Sequence, residues 1–346
     1  RTENSVITNH YHVSTRDFFR QIWWKDMIEI GRIRNIVYSG FIIIDYNHDV
    51  IKEDMKDILD ITLKDLSLNG RELFNNKGEL GIHGYNHNPL LYYSKDINFE
   101  GLNYKPWITQ QDMAASTQEV LKYVKELFGK KVKLYTYVPP SNMMKEEGVK
   151  VVVENYPDLK TISSVFYGTD SEGVYVQEVG RNKLFPNIYN LPRFSSGFYY
   201  DSDEMWNIFN AFAIYGYWSH FVHPDDLIST DRSQNKTWEQ LKIEFEKTLT
   251  TFEEKLPFVN PMRSVDMTKK YMNIEDLEIY SEKRNNEIHI GIKNFRDNFE
   301  TLIRINGNDK IKNISSGSFK EIYSTRSSKI YLINIEKEDV TIYLGG

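Results

Sequence analysis

Gly81-Ile82-His83-Gly84-Tyr85-Asn86-His87 reads as a short strand end running into a glycine turn that carries two histidines. Its neighbours on both sides decide the fold class. Upstream, Val37 to Ile44 is a strand-like apolar run ending at Asp45. Ile51, Met55, Ile58, Leu59 and Leu66 then fall on one side of a helix, with Asn69-Gly70 as its expected stop. Downstream, Thr109 to Phe128 is helical, with a capping box at Thr109 and Asp112 and Gly129 as its end. Val132 to Val138 is a strand running into Pro139-Pro140, and a helix over Glu146 to Asn155 follows. Leu159 to Phe166 is strand-like, Asp203 to Phe212 helical and Tyr217 to Val222 a strand. Trp238, Leu241, Phe245, Leu249 and Phe252 mark a long helix. At the start of the chain, residues 5–8 suit a strand, and Ser14 with Asp17 caps a helix bearing Phe19, Trp23, Met27 and Ile30. This alternation predicts an α/β fold with parallel strands in a barrel or sheet.

The texture changes after about residue 270. Short alternating runs follow one another, among them Ile288-His289-Ile290-Gly291-Ile292 and Val340-Thr341-Ile342-Tyr343-Leu344, with turns such as Asn306-Gly307-Asn308 between them. No helix is expected there. The division is an α/β domain over residues 1–265 and a small C-terminal β-sandwich over residues 270–346. His289, in an alternating strand, reads as structural.

Composition narrows the function classes. The 346 residues carry a net charge of −6 with no Lys/Arg block, which argues against a nucleic-acid partner. There are no cysteines, so disulfides, thiolate metal sites and a cysteine nucleophile are excluded. No apolar run is long enough to span a membrane, and no stretch reads as a signal peptide. The chain opens at Arg1-Thr2-Glu3, close to its first apolar run, as a processed form or part of a longer multidomain protein would. Its 23 Tyr, 19 Phe and 6 Trp chiefly fill a core, with exposed rings left to stack on sugars.

Six of the eight histidines fall into three close groups: His10 and His12, His83 and His87, His220 and His223. Such grouping suits a metal site assembled from separate strand ends. His83 and His87 lie four apart and share a face if the segment turns helical. His220 and His223 follow an aromatic strand and precede Pro224-Asp225-Asp226, so a histidine at the strand end beside carboxylates suits a general acid. His223 holds that position. His220 reads equally well as a buried, hydrogen-bonded histidine. His10 or His12 would complete a three-ligand site, or both are exposed at a loose chain start.

In this order the motifs resemble those of the polysaccharide deacetylases, the NodB-like carbohydrate esterases. The likeness is nearest to the divergent branch that includes Pel-type exopolysaccharide deacetylases, and it covers residues 5 to 262. His83-x-x-x-His87 matches the family's metal-binding histidine pair. Tyr135 to Asn142 stands where one wall of the substrate groove is expected, and His223 matches the general acid. Leu191-Pro192-Arg193-Phe194 stands at the fourth motif, with Arg193 orienting a catalytic group. The chain departs from the family at the first motif: Asn9-His10-Tyr11-His12 stands where the family has two aspartates.

The resemblance implies a distorted (β/α) barrel and a metal-dependent hydrolase that removes N-acetyl groups from an amino-sugar polysaccharide, an exopolysaccharide of biofilm or a cell-wall glycan. The ion is zinc, with cobalt or nickel as alternatives. It is held by His83, His87 and one of His10 or His12. Asp45 is the substitute base, or a cap for the next helix. His223 is the acid, held by Asp225 or Asp226. Asn9, Tyr85, Pro140, Ser141, Asn142 and His220 are placed along the substrate groove. The implied location is extracellular or at a bacterial cell surface. Two other readings stay open: a glycan-binding protein of this fold without catalysis, and a metal-independent glycoside hydrolase.

Overall fold

Asn4 starts the first helix, α1 (Ser5–Tyr11), because its side-chain oxygen accepts from the backbone N–H of Val6 and Ile7. The expected strand at residues 5–8 is therefore a helix. Its β-branched run packs Ile7 into an aromatic core, and that burial outweighs local propensity. Throughout, the computed structural model describes residues 3–52, 60–166 and 173–345. Ser14 caps α2 (Thr15–Phe18), which continues through a π-turn (Phe19–Trp23) into α3 (Trp24–Ile33).

The chain then alternates as expected. β1 (Ser39–Ile42), α4 (Asp60–Asn75), β2 (Glu79–Ile82), α5 (Gln110–Phe128), β3 (Thr136–Tyr137), α6 (Glu146–Asn155) and β4 (Thr161–Ile162) follow in order. Met55, Ile58 and Leu59, assigned to the second helix, lie outside the described residues. α4 does not stop at Asn69-Gly70 but runs on to Asn75. Gly70 is a packing glycine, since a side chain there would enter the Phe128 ring of α5. Next come β5 (Gly180–Arg181), β6 (Tyr189–Asn190), β7 (Ser195–Ser196), α7 (Ser202–Tyr215), β8 (His220–Phe221), α8 (Thr230–Ser233) and α9 (Trp238–Lys255).

β1, β2, β3, β4 and β6 pair in parallel in that order, and β5 closes the sheet edge antiparallel to β6. β7 and β8 form a separate parallel pair. A single bridge from Val165 to Arg193 connects the end of β4 to the residues ahead of β7. The result is a mixed α/β architecture built on parallel strands. Ile42, Ile82, Tyr137 and Ile162, from four adjacent strands, pack with Val120 and Val124 of α5 and Val151 and Val152 of α6. Each such aliphatic side chain contributes about 1.5–3 kcal/mol of hydrophobic stabilisation before entropy is counted. Trp23, Phe198, Trp238 and Phe245 form a second core with Ile7 and Phe18, which is where much of the aromatic content is used.

The chain divides into two units, at Thr268/Lys269. The break falls inside α10 (Ser264–Asp276), so a helix does extend past residue 270, contrary to expectation. The second unit holds β9 (Glu278–Arg284), β10 (Glu287–Lys293), β11 (Phe299–Asn306), β12 (Lys310–Ile314), β13 (Ser318–Ser324), β14 (Ser328–Ile335) and β15 (Asp339–Gly345). These form two antiparallel sheets, β12-β15-β10-β9 and β11-β14-β13. Ile290, Ile342 and Leu344 from one share a core with Ile305, Tyr331 and Ile333 from the other. His289 is tied to Glu287 at 3.0 Å and to the Thr341 hydroxyl at 3.2 Å. No helix among the described residues is long and apolar enough to cross a membrane.

Candidate active site

β2 delivers His83 to the end of the parallel sheet, where α/β folds place their sites. The His83 N–H donates to the Ile42 carbonyl at 2.9 Å, and Val138 N–H donates to the Ile82 carbonyl at 2.8 Å. The imidazole is held by one further bond, Nδ1 to the Val138 carbonyl at 2.8 Å. Because a carbonyl only accepts, Nδ1 carries the proton, and the Nε2 lone pair stays available. Gly84 then turns the chain at φ +98°, and a side chain there would press on Pro140 at 3.1 Å.

His87 completes the turn in a left-handed conformation, φ +57°. Its ring lies 5.1 Å from that of His83 at 66°. Tyr46 stacks on its other side at 5.8 Å, and the Tyr104 hydroxyl meets its Nδ1 at 3.3 Å. Burial, reinforced by the nearby His87, pushes the His83 pKa down to about 3. Burial, with smaller effects of His48 and His223, holds His87 at about 4. Both imidazoles are therefore neutral near pH 7, the form that binds metals.

The Ile44 and Asp45 N–H groups both donate to the Tyr85 carbonyl, at 2.9 and 2.8 Å, so Asp45 stands at the edge of the histidine turn. Tyr85 itself is buried in the main core and faces no groove. Beyond Asp45, His48 packs edge-on against Tyr104 with ring centres 5.6 Å apart. Its buried Nδ1 has no hydrogen-bond partner among the described residues. Asn86 donates to the Asp49 carbonyl, and Asn88 exchanges hydrogen bonds with the backbone of Lys105. These amides pin the two loops that flank the turn. Sequence reading passed over His48 because it stands alone, although its position after a strand-like run and between Asp45 and Asp49 was a signal.

The opposite wall is Pro140-Ser141-Asn142, where Ser141 and Asn142 take left-handed φ of 49° and 59°. Ser141 bonds the Tyr104 hydroxyl, and Asn142 accepts from Arg193. Arg193 is buried, donates through Nε to the Ser164 carbonyl at 3.0 Å, and lies 4.0 Å over the Phe221 ring. With no carboxylate within 4.0 Å among the described residues, burial lowers its pKa to about 9. Arg193 thus fixes the Asn142 turn.

His223 follows β8. Its backbone N–H donates to Asp226 Oδ2 at 2.9 Å, and its Nδ1 stands 3.3 Å from Oδ1 of the same residue. Asp226 is buried and also paired with Arg232 at 2.7 Å. Asp225, by contrast, is exposed and pairs with Arg232 at 3.1 Å. Of the two carboxylates expected to hold His223, the one beside its ring is therefore Asp226, while Asp225 acts on His87 only electrostatically. His220 corrects another expectation. Its Nε2 bonds the Gly197 carbonyl and its Nδ1 the Ser195 hydroxyl, both at 2.8 Å. Trp218 donates to that hydroxyl in turn. With both nitrogens used by the fold, His220 has none left for substrate, and desolvation holds its pKa at about 4.

The first-motif residues are not brought to this site. Asn9 and His10 are exposed on α1, with His10 3.8 Å from Glu239. His12 is the exposed C-cap of that helix at φ +56°. Tyr11 between them ties α1 to α9 through the Trp238 N–H and Glu239. His10 and His12 share no contact with His83 or His87 among the described residues.

The fit to a divalent ion is partial. Two imidazoles bound at about 2.0–2.1 Å to one tetrahedral ion place their ring centres roughly 5 Å apart, as His83 and His87 do. Among the described residues, however, no group of three His, Cys, Asp or Glu is gathered closely enough to hold a metal.

Among solved structures, the chain is similar to wild-type BA3943 from Bacillus anthracis, a CE4 family pseudoenzyme. The identity is 10%, the TM-score 0.39, and coverage 71% of this chain and 60% of that one. A BA3943 mutant with restored enzymatic activity matches with 10% identity, a TM-score of 0.38 and coverage of 71% and 62%. The α-amylase from H. orenii matches with 10% identity, a TM-score of 0.25 and coverage of 82% and 65%. The chain thus spans about 60% of the length of the BA3943 structures. No curated protein matches. The family model described as "Uncharacterised protein conserved in bacteria (DUF2194)" matches residues 1–332, nearly the whole chain, and the protein belongs to that family.

Proposed function

We propose that the chain is a metal-dependent polysaccharide N-deacetylase of the branch that includes Pel-type exopolysaccharide deacetylases, acting outside the cell or at its surface. On this reading the parallel sheet and the β7–β8 pair are parts of a distorted barrel. The observation that carries the proposal is the neutral His83–His87 pair, with the Asp226-held His223 close enough to perturb both electrostatically.

The chain's own groups divide the work. His83, oriented by Val138, and His87, oriented by Tyr104, would hold a divalent ion through their other ring nitrogens. When bound, such an ion supplies Lewis acidity toward a carbonyl oxygen and makes water more acidic. Asp45 takes the proton from the attacking water. The water oxygen bonds to the acetyl carbon, the acyl C–N bond breaks to release acetate, and His223 gives a proton to the departing sugar amine. Asp226 keeps the His223 ring in place, and Arg193 fixes the Asn142 turn.

Acetate release from N-acetylated hexosamine oligomers tests this, using metal-stripped protein with and without Zn²⁺, Co²⁺ or Ni²⁺. Ion-dependent release is expected, and its loss in His83→Ala. Release that survives both stripping and that substitution rules the mechanism out. The partial ligand set favours one second reading, a protein of the same fold that binds glycan without cleaving it. Glycan binding with no acetate release under any of the three ions would establish it.

A further inference from the structure

Beside the histidine turn lies a groove of ≈ 670 Å³, within the span of about 300–1,000 Å³ usual for ligand sites. His48 and Tyr104 are in its lining, and Tyr104 also bonds His87, so one side chain is shared by the groove and the candidate active site. Tyr93, also in the lining and 74% exposed, has its ring near-parallel to and offset from that of Phe99, with centres 6.3 Å apart at 21°. Phe99 is itself buried with Leu91, Ile97 and Met143. Backbone bonds from Trp107 to Leu91 at 2.9 Å and from Tyr104 to Phe99 at 2.8 Å brace the loop. Tyr93 is therefore a held aromatic face open to solvent.

The polar lining has a matching character. The Asn98 side-chain oxygen is taken by the Gly101 N–H at 2.9 Å, and that of Asn47 by the Asp49 N–H at 3.0 Å. Both side-chain amide nitrogens remain unbonded among the described residues. Glu100 and Lys105 supply one charge of each sign, so the groove has no net field to select an ion. A flat aromatic face with amide donors and no net charge suits an uncharged sugar ring bearing hydroxyl and acetamido groups.

We infer that this groove is a distal subsite, in which an N-acetylhexosamine unit more than one residue along the same chain from the unit at His87 stacks on Tyr93, beyond the reach of a dimer. The inference rests on the deacetylase-like reading of the site. The test is calorimetric binding of hexamers and dimers of three probes: β-1,4- and β-1,6-linked N-acetylglucosamine and α-1,4-linked N-acetylgalactosamine. Wild-type protein is expected to bind at least one hexamer more tightly than its dimer. Tyr93→Ala should weaken that hexamer roughly 10-fold and leave the dimer unchanged, while Tyr93→Phe retains the preference. Equal hexamer affinity in wild type and Tyr93→Ala, or no hexamer bound by wild type, overturns the subsite. Acetate release by the wild type separates the two readings. Hexamer preference in the wild type without acetate release under any ion keeps the subsite and removes only the chemistry. Wild-type acetate release without hexamer preference does the reverse.

Discussion

His83–His87 and His10–His12 are both closely spaced histidine pairs, yet their surroundings differ throughout. The first pair ends a buried parallel strand, is neutral near pH 7, and has each Nδ1 engaged by a neighbour. The second ends a short helix and is exposed, with Glu239 near His10. What separates a candidate ligand pair from a surface pair is the strand that buries it and the partner that fixes the second nitrogen, not spacing. His220 and His223 repeat the lesson three residues apart. The fold consumes both nitrogens of one, while the other leans on a buried carboxylate and keeps Nε2 free of hydrogen bonds among the described residues.

The contrast can be broken at several points. The largest effect is expected at His83→Ala, with acetate release falling roughly a thousandfold. His10→Ala and His12→Ala should stay near the wild-type rate in the same assay, and an equal loss in all three would erase the distinction. Next comes the carboxylate behind His223. Asp226→Asn is expected to lower kcat roughly 10- to 100-fold. Asp225→Asn, at an exposed ion pair, should change it no more than a few-fold.

His220→Ala sharpens the contrast in another quantity. Deleting its ring leaves the Ser195 hydroxyl and the Gly197 carbonyl without their partner, a cost of about 1–3 kcal/mol in urea unfolding. The pH dependence follows from the same burial. His83, His87 and His220 have folded pKa values of about 3, 4 and 4, below the ordinary value of about 6.5. The unfolded chain therefore binds protons that the folded chain refuses. The contribution of these groups is full above about pH 6.5 and falls as pH drops through the window down to about 3. Urea midpoints at pH 7.5, 6 and 5 should decline in that order. The smallest effect is expected at Gly84→Ala, roughly 1 kcal/mol, from a positive φ and contact with Pro140.

Much of the fold was legible where local signals and tertiary packing agree. Thr109 and Gly129 bound α5 as their capping chemistry requires, and Trp238, Leu241, Phe245, Leu249 and Phe252 all face inward from α9. The misreadings have identifiable causes. The strand expected at residues 5–8 followed β-branched propensity, which the Asn4 cap and the burial of Ile7 override. Gly70 looked like a stop because the Phe128 ring it accommodates is distant in sequence. In the candidate site, the strand-end positions of His83 and His223 were legible because each follows an apolar run. Asp226, three residues past His223, was one of two carboxylates that the sequence offered; His48, Tyr104, Asn86 and Asn88 act through contacts between loops, which no local pattern encodes.

The most direct test of the central claim is a calorimetric Zn²⁺ titration of metal-stripped wild type, His83→Ala and His10→Ala. One ion per chain is expected for wild type and His10→Ala, and none bound tightly by His83→Ala. Tight binding that survives His83→Ala, or is lost in His10→Ala, would place the metal elsewhere and contradict the account.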